Sequence, residues 1–192
     1  MSKKIGILGG SFNPVHTGHL MLASWIAQCG VVDSVWLMLS PLNPLKTDCS
    51  MASDHHRMRM LELAVKQSDL LSVSALELEL PRPSYTIDTF KELDRRYPEC
   101  CFVPIVGSDN LSIFHKWRSA DEILSRYGLI VYPRLGYPFP DKLPRGVVVV
   151  NAPQTDISST KIRNCISKGW DMNFFLPPGV YKYIKEQDLY KD

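Results

Sequence analysis

The amino-acid sequence predicts a doubly wound α/β fold built on a mainly parallel sheet. Two observations support this prediction: short apolar runs alternate with amphipathic segments, and several apolar runs are rich in Val, Ile and Leu without polar alternation. Such strands are typical of parallel sheets that helices cover on both faces. With 192 residues, 45% of them hydrophobic, the chain fits a single domain, residues 1–192, with a sizeable core.

The predicted strands and helices follow one another in a βαβα order. The predicted strands are Lys4–Leu8, Val35–Leu39, Leu71–Leu76, Cys101–Val106, Leu129–Tyr132 and Val147–Val150. The predicted helices are Leu20–Cys29, Asp54–Lys66, Thr86–Tyr97, Asp121–Arg126, Thr160–Lys168 and Pro178–Gln187. Ligands of such folds bind at the carboxyl ends of the strands, near the point where the strand order reverses. We therefore look for a site in the loops that follow predicted strands.

Composition and charge argue against several classes of protein. Lys and Arg number 22 against 20 Asp and Glu, so the net charge of +2 is far from that of a protein that grips long nucleic acid. No apolar run approaches the length of a membrane span, and nothing at the N-terminus resembles a signal peptide. The five cysteines show no CxxC pair and no metal-ligand spacing, which favours free thiols. We expect a cytoplasmic protein whose ligands are small, with anions among the candidates.

The segment Gly9–Leu20, GGSFNPVHTGHL, directly follows the first predicted strand. Its two leading glycines let the backbone approach a ligand closely, and its Asn-Pro pair favours a turn. A helix is predicted to begin near Gly18, where exposed backbone amides favour phosphate. The segment has neither the glycine pattern of dinucleotide-binding motifs nor the ending of a P-loop, so the arguments for those motifs do not apply to it.

His16 and His19 lie three residues apart at this predicted helix start and should share one helix face. Two imidazoles there can donate hydrogen bonds to phosphate oxygens and stabilise charge that develops on them. A capped helix with one histidine packed against the sheet is the simpler alternative for an isolated HxxH pair. Metal binding is a third alternative, although no further ligand stands nearby in the sequence. The glycines and the position after the first strand favour phosphate chemistry.

Four further segments carry candidate ligand-binding side chains. They are residues 83–89 (PSYTIDT), 107–109 (GSD), 115–117 (HKW) and 157–163 (ISSTKIR). In the last of them, hydroxyls and free amides at a helix start favour anions, and Arg163 adds a fork of donors for phosphate. Each segment also has a simpler interpretation. Residues 157–163 can form a serine N-cap with a solvated arginine, and PSYT can cap the helix that follows it. Asp109 can be a loop N-cap, and Trp117 can be a core residue. The run Asp54–Arg59, DHHRMR, is most simply an N-capped helix start.

Together these motifs resemble those of a known enzyme family. GGSFNPVHTGHL is similar to the HxGH motif of the nucleotidylyltransferase superfamily, and nearly the whole chain resembles the bacterial nicotinate-mononucleotide adenylyltransferases. HxGH alone is moderately specific, because pantetheine-phosphate adenylyltransferases and cytidylyltransferases carry related versions. The four further segments, in this order, narrow the resemblance from the superfamily to the nicotinate-mononucleotide adenylyltransferases. It implies a Rossmann-like nucleotidylyltransferase fold.

The resemblance implies adenylyl transfer from ATP to nicotinate mononucleotide, with Mg²⁺ on the triphosphate and no all-protein metal cage. The catalytic residues that it implies are His16, His19, Lys46 and Arg163. The ATP-binding residues that it implies are Gly9, Gly10, Ser11, Phe12, His16, His19, Gly107, Asp109, Ile157, Ser159, Thr160 and Arg163. The mononucleotide-binding residues that it implies are Asn13, Lys46, Tyr85, Thr86, Trp117 and Arg134.

The resemblance also assigns roles to some of these residues. The backbone at Thr86 would help to hold the ring carboxylate, and Trp117 would stack on the ring. Asp109 would partner a ribose hydroxyl. Lys46, otherwise a solvated loop residue, would lie near the phosphates of both substrates.

Two positions depart from the family pattern. Asn13 stands where many relatives have Asp, and Leu45 stands where many have His before the loop lysine. Asn13 keeps the turn but loses a charge, whereas Leu45 removes a phosphate donor.

Two alternatives to this function remain open: a related adenylyl- or cytidylyltransferase with another phosphate acceptor, and a non-catalytic nucleotide-binding protein on the same fold. The presence of both histidines and of Arg163 argues against the second alternative.

Overall fold

A computed structural model describes residues 2–41 and 51–191 of the chain. Six strands form one sheet in which every neighbouring pair is parallel. The strands are β1 (Lys3–Gly10), β2 (Ser34–Leu39), β3 (Leu71–Ser74), β4 (Cys100–Gly107), β5 (Leu129–Tyr132) and β6 (Val147–Val149). Their order across the sheet is β3-β2-β1-β4-β5-β6, so the order reverses between β1 and β4. This topology confirms the predicted doubly wound fold.

Helices cover both faces of the sheet. In the described part of the chain they are α1 (Thr17–Gln28), α2 (Asp54–Val65), α3 (Leu76–Glu79), α4 (Thr86–Arg96), α5 (Ser108–Ile113), α6 (Ala120–Arg126), α7 (Ser159–Ser167) and α8 (Val180–Glu186), with 3₁₀ turns at Phe114–Lys116 and Asn173–Phe175. Buried residues of α1, α2, α7 and α8 form one apolar cluster, and those of α3, α4, α5 and α6 belong to the other. None of these helices has the length and apolar content needed to span a lipid bilayer.

The strand sequences show why the sheet needs two covered faces. Successive side chains of a strand point to opposite faces, and in β2 they enter different clusters. Val35, Leu37 and Leu39 belong to the cluster beneath α1, α2, α7 and α8. Met38 lies in the opposite cluster, and Trp36 packs against it. The uninterrupted apolar run of β2 therefore fits a central strand that is buried on both sides.

The structure confirms most predicted elements, and at the carboxyl edge of the sheet it shifts the ends of two strands and adds a helix that was not predicted. β1 continues through Gly9 and Gly10, which pair with the last residues of β2. The strand predicted from Leu71 ends at Ser74, whose Oγ accepts the amide of Leu76 at 3.3 Å as the short helix α3 begins. Helix α5 starts directly after Gly107, and it is too short to give a periodic pattern in the sequence.

Candidate active site

A cavity of about 440 Å³ opens at the carboxyl ends of β1, β4 and β5, beside the reversal of strand order. Its volume is within the range of small-molecule sites. The predicted residues that line it are Gly9, Gly10, Ser11, Phe12, His16, His19, Asp109, Arg134, Ile157 and Ser159. Gly18 and Ser158, which lie within two of the predicted segments, also line it. The lining residues that the sequence did not indicate are Leu8, Leu22, Asn110, Tyr132, Pro133, Leu135, Tyr137, Pro153, Gln154, Thr155 and Asp156.

His16 and His19 stand at the start of α1 and face this cavity. His16 is the N-cap residue and is buried, while His19 lies in the first turn. Their rings stack with centroids 3.7 Å apart and an angle of 27° between the planes. The backbone N–H of His16 donates a hydrogen bond to Nδ1 of His19 at 3.2 Å. The pair therefore caps the helix and lines the cavity at once, so the capping role does not exclude contact with a ligand.

Both histidines are neutral at physiological pH. Burial, followed by the charge of Arg134, lowers the pKa of His16 to about 4. Burial, together with His16 and Arg134, also lowers the pKa of His19 well below its usual value. Because Nδ1 of His19 accepts a hydrogen bond, the single proton of this ring belongs on Nε2, which is then a donor. Nδ1 of His16 is buried and has no hydrogen-bond partner within the described residues.

Arg57, in α2, binds the loop between β1 and α1, residues 11–16, which we call the site loop, and does not itself line the cavity. Its side chain is fully buried, and Nη1 donates to the carbonyl oxygens of Ser11 at 2.6 Å and Ser40 at 3.0 Å. Nη2 donates to the carboxylate of Asp54 at 2.5 Å. A buried charge is tolerated where it is paired and hydrogen-bonded, and these three acceptors meet that requirement. Arg57 thereby fixes the loops at the ends of β1 and β2 relative to each other.

Helix α7 supports the same loop through two further side chains. Nη1 of Arg163 donates to the carbonyl oxygen of Asn13 at 2.9 Å, and Oγ of Ser159 donates to that of Pro14 at 2.9 Å. Ser159 also lines the cavity, whereas Arg163 does not. Both residues are expected from the resemblance to hold ATP phosphates, and the structure adds a bond from each to the site loop.

Gly18 allows α1 to pack closely against the segment between β6 and α7. A Cβ at this position would lie 2.7 Å from Cγ2 of Thr155 and 3.1 Å from Nδ1 of His16. Thr155 is held in turn, because its Oγ1 accepts the amide of Ile157 at 3.2 Å. Sequence reasoning missed this segment upstream of Ile157, although its position after a predicted strand was a usable signal.

Asp109 and Arg134 form a charged pair on the far wall of the cavity. Nε of Arg134 lies 3.8 Å from Oδ1 of Asp109, and this oxygen is buried without a hydrogen-bond partner within the described residues. Oγ of Ser108 accepts the amide of Arg134 at 2.9 Å and donates to the carbonyl of Tyr137 at 2.7 Å, which fixes the turn that carries the arginine. Asp109 lies in the first turn of α5 and not in a loop.

The predicted ring-binding residues lie outside this cavity. Tyr85 precedes α4, and the guanidinium carbon of Arg118 lies 4.8 Å from the centroid of its ring. Thr86 begins α4. Trp117 is half-buried, and its ring is tilted against Phe114 at 5.1 Å between centroids. Aromatic groups and an arginine thus gather on the α4 side of the sheet, apart from the histidine pair.

Five more residues singled out from the sequence have other positions. Gly107 ends β4 beside the cavity without lining it. Thr160 is exposed in the first turn of α7. Asn13 lies within the loop between β1 and α1 and is buried. Lys46 and Leu45 lie outside the described residues.

The chain matches the family model described as cytidylyltransferase-like over residues 7–165. A relative from Bacteroides thetaiotaomicron, described as a probable nicotinate-nucleotide adenylyltransferase, is 42% identical over 95% of this chain and 91% of its own length. One from Flavobacterium johnsoniae with the same description is 38% identical over 98% of this chain and 99% of its own length. The nicotinic acid mononucleotide adenylyltransferase of Plasmodium falciparum, complexed with NaAD, has the same fold, with a TM-score of 0.79 at 23% identity over 98% and 97% of the two chains.

A parallel sheet with a histidine pair that lines a cavity at its switch point is typical of nucleotide-binding α/β proteins. Among such proteins, the matched model and the relatives settle the family. The chain belongs to the cytidylyltransferase-like family and, within it, to the nicotinate-nucleotide adenylyltransferases.

Proposed function

We propose that this protein transfers the adenylyl group of ATP to the phosphate of nicotinate mononucleotide, giving nicotinate adenine dinucleotide and pyrophosphate in NAD biosynthesis. The observation that carries the proposal is the pair His16 and His19, held neutral at the start of α1 and facing a cavity of suitable size. The full-length likeness to nicotinate-nucleotide adenylyltransferases supplies the acceptor.

The reaction is an in-line displacement at phosphorus. An oxygen of the mononucleotide phosphate forms a bond to the α-phosphorus of ATP while the bond from that phosphorus to the bridging oxygen breaks, and pyrophosphate leaves with the electron pair. Such a transfer requires positioning and charge stabilisation more than covalent help. Nε2 of His19 offers a donor, and Arg134 offers a cation at the cavity wall. No enzyme residue bonds to phosphorus in this scheme.

ATP enters this scheme as its Mg²⁺ complex. Mg²⁺ usually keeps water and substrate phosphate oxygens as ligands and rarely sits in an all-protein cage. Within residues 2–41 and 51–191 there is no group of three or more His, Cys, Asp or Glu side chains that could hold a metal ion. We expect the triphosphate to supply most of the ligands of the ion.

We also place the protein in the cytoplasm. Among the described residues Cys29, Cys100, Cys101 and Cys165 are free thiols, which is compatible with a reducing compartment.

We assign the nicotinate ring to the α4 side of the sheet, near Tyr85, Thr86 and Trp117. Backbone amides near Thr86 would pair with the ring carboxylate, and Arg118, which pairs with Asp88 at 3.3 Å, lies over the ring of Tyr85. A site built for a charged group rejects a neutral analogue strongly, since its donors would lose their partner. Nicotinate mononucleotide should therefore be preferred to nicotinamide mononucleotide.

Pyrophosphate release with a panel of phosphate acceptors tests this function. The purified chain is mixed with Mg²⁺, ATP or CTP, and nicotinate mononucleotide, nicotinamide mononucleotide or phosphopantetheine. The highest kcat/KM is expected for ATP with nicotinate mononucleotide. A higher value for another acceptor or for CTP would assign the chain to a different transferase, and no release with any pair would leave a nucleotide-binding protein. His19→Ala, prepared in parallel, controls for contaminating activity.

A further inference from the structure

The segment that follows α8 contacts the site loop through Tyr190. The hydroxyl of Tyr190 donates a hydrogen bond to Oδ1 of Asn13 at 2.7 Å. The same oxygen accepts the backbone amide of Ala52 at 3.1 Å. Asn13 is only 2% exposed, and its carbonyl oxygen is held by Arg163. Both the side chain and the backbone of Asn13 are therefore fixed by residues far away in the sequence.

Tyr190 adopts a conformation that is unfavourable for tyrosine. Its φ is +63°, in the left-handed region, and Asp188 two residues earlier has a φ of +50°. Non-glycine residues persist in this region when the surrounding contacts determine their position. Burial also raises the pKa of the Tyr190 hydroxyl above its ordinary value, so the group, a donor at neutral pH in any case, stays protonated in alkaline solution too. The segment thus places a neutral donor beside Asn13, although Tyr190 and Asp188 adopt unfavourable backbone conformations there.

We propose that Tyr190 is a positioning residue for adenylyl transfer, which acts through Asn13 on the loop that leads to His16. The inference rests on the proposed function. Asn13 lies three residues before His16, and the carbonyl of the intervening Pro14 is itself bound by Ser159. With the hydroxyl removed, Oδ1 of Asn13 loses one of the two hydrogen bonds that it accepts from the described residues, and the side-chain amide is held less firmly. The loop would then hold His16 less accurately against the phosphates.

Tyr190→Phe tests this inference, because it removes one oxygen and keeps the ring. Tyr183→Phe is a matched control: its hydroxyl lies 2.8 Å from Nδ1 of His56, on the contact between α8 and α2, and neither residue lines the cavity. Each change removes one side-chain hydrogen bond of similar length. Similar falls in Tm are therefore expected for the two variants.

The two variants should differ in turnover. Small displacements of reacting groups can cost about a hundredfold in rate, so we expect Tyr190→Phe to lower kcat about tenfold or more with little change in the KM for ATP. Tyr183→Phe should keep kcat within about twofold of the wild type, as expected for a change away from the reacting groups. Equal kcat values per folded molecule for the two variants would overturn the inference.

A double-mutant cycle with Asn13→Ala gives a second measurement. When Tyr190 acts through Asn13, the double variant has the same kcat as Asn13→Ala alone. Effects on kcat that multiply in the double variant would overturn the inference. A wild-type chain that releases no pyrophosphate would overturn the proposed function and this inference together, whereas an active wild type with an unimpaired Tyr190→Phe variant overturns the inference alone.

Discussion

Nδ1 of His19 accepts the backbone N–H of His16 at 3.2 Å, and the two imidazole rings stack with centroids 3.7 Å apart. This relationship divides the two nitrogens of His19 between two tasks. One nitrogen caps the helix, and the other is left as a donor for the cavity. The two tasks can be separated by substitution.

His19→Asn should keep the cap and lose the donor. The Asn oxygen can take the place of Nδ1, but its side chain is too short to reach the position of Nε2. A donor aimed at charge in the transition state is worth about 2.7–4 kcal/mol, so kcat should fall roughly a hundred- to a thousandfold. Thermal melts should remain close to those of the wild type. Steady-state kinetics beside the melts check both expectations.

His19→Gln is the complementary variant. Its amide nitrogen can approach the position of Nε2, while the acceptor for the His16 amide is lost. It should retain more turnover than His19→Asn and lose about 1 kcal/mol of helix-cap stability. If His19 is only a packed core residue, both variants will melt earlier and keep a near-normal kcat per folded molecule, which would refute its catalytic assignment.

The stability of the protein should fall in mild acid because of His16. Its pKa is about 4 in the folded chain against 6.5 in the unfolded chain. Between these values the unfolded chain binds more protons, so the free energy of unfolding is highest above pH 6.5 and decreases as the pH falls towards 4. A shift of this size corresponds to about 3 kcal/mol. Urea unfolding at pH 7.5, 6, 5 and 4.5 measures the decrease.

His16→Asn is the matched variant for this experiment, because Asn is a good N-cap residue that does not titrate. The difference in unfolding free energy between the wild type and this variant should shrink, or reverse in favour of the variant, as the pH falls from 6.5. Parallel curves for the two proteins over this range would show that His16 titrates normally in the folded state.

Gly18→Ala should destabilise the protein and reduce its activity. The new Cβ would meet Cγ2 of Thr155 at 2.7 Å, and an overpacked contact costs about 1–3 kcal/mol. Thr155→Ser removes that methyl group and keeps the hydroxyl that accepts the Ile157 amide. The double variant should recover most of the lost Tm. If Gly18→Ala lowers Tm by the same amount in the Thr155→Ser background as in the wild type, the contact is not the cause.

Trp117→Ala should weaken use of the mononucleotide more than use of ATP. Loss of a stacking face costs about 1–3 kcal/mol, which corresponds to roughly a 5- to 150-fold rise in KM. Trp170→Ala provides the control, since Trp170 is 62% exposed and lies after α7. Because Trp117 also packs against Phe114, kinetics must be normalised to the folded fraction. A selective rise in the KM for ATP would place Trp117 in the other subsite.

The fold could be predicted from the sequence because its signals are local. β2 shows the point: its apolar run is continuous, and the structure buries it on both faces. The histidine pair was also predictable, since both residues lie on one turn of a helix that starts after a strand. The charge state of the pair was not, because it depends on burial and on Arg134, which stands more than a hundred residues further along the chain.

Arg57 shows most clearly what sequence reasoning could not reach. In DHHRMR it appears as one of several polar residues at a helix start, yet it is fully buried and binds two loop carbonyls. Its role depends on the meeting of α2 with the ends of β1 and β2, and no residue spacing encodes that meeting. The same holds for Thr155, whose contact with Gly18 arises only when the sheet brings their segments together.

The supports of the site loop have a consequence for the growing chain. Ser159 follows its partner Pro14 by 145 positions, and Arg163 follows Asn13 by 150. At about 5–20 residues per second, ribosomal synthesis leaves these carbonyls without their donors for roughly 7–30 s. Contacts of such long sequence separation also form late in folding. A nascent chain that already contains HxGH therefore lacks both of these supports until α7 has been synthesised.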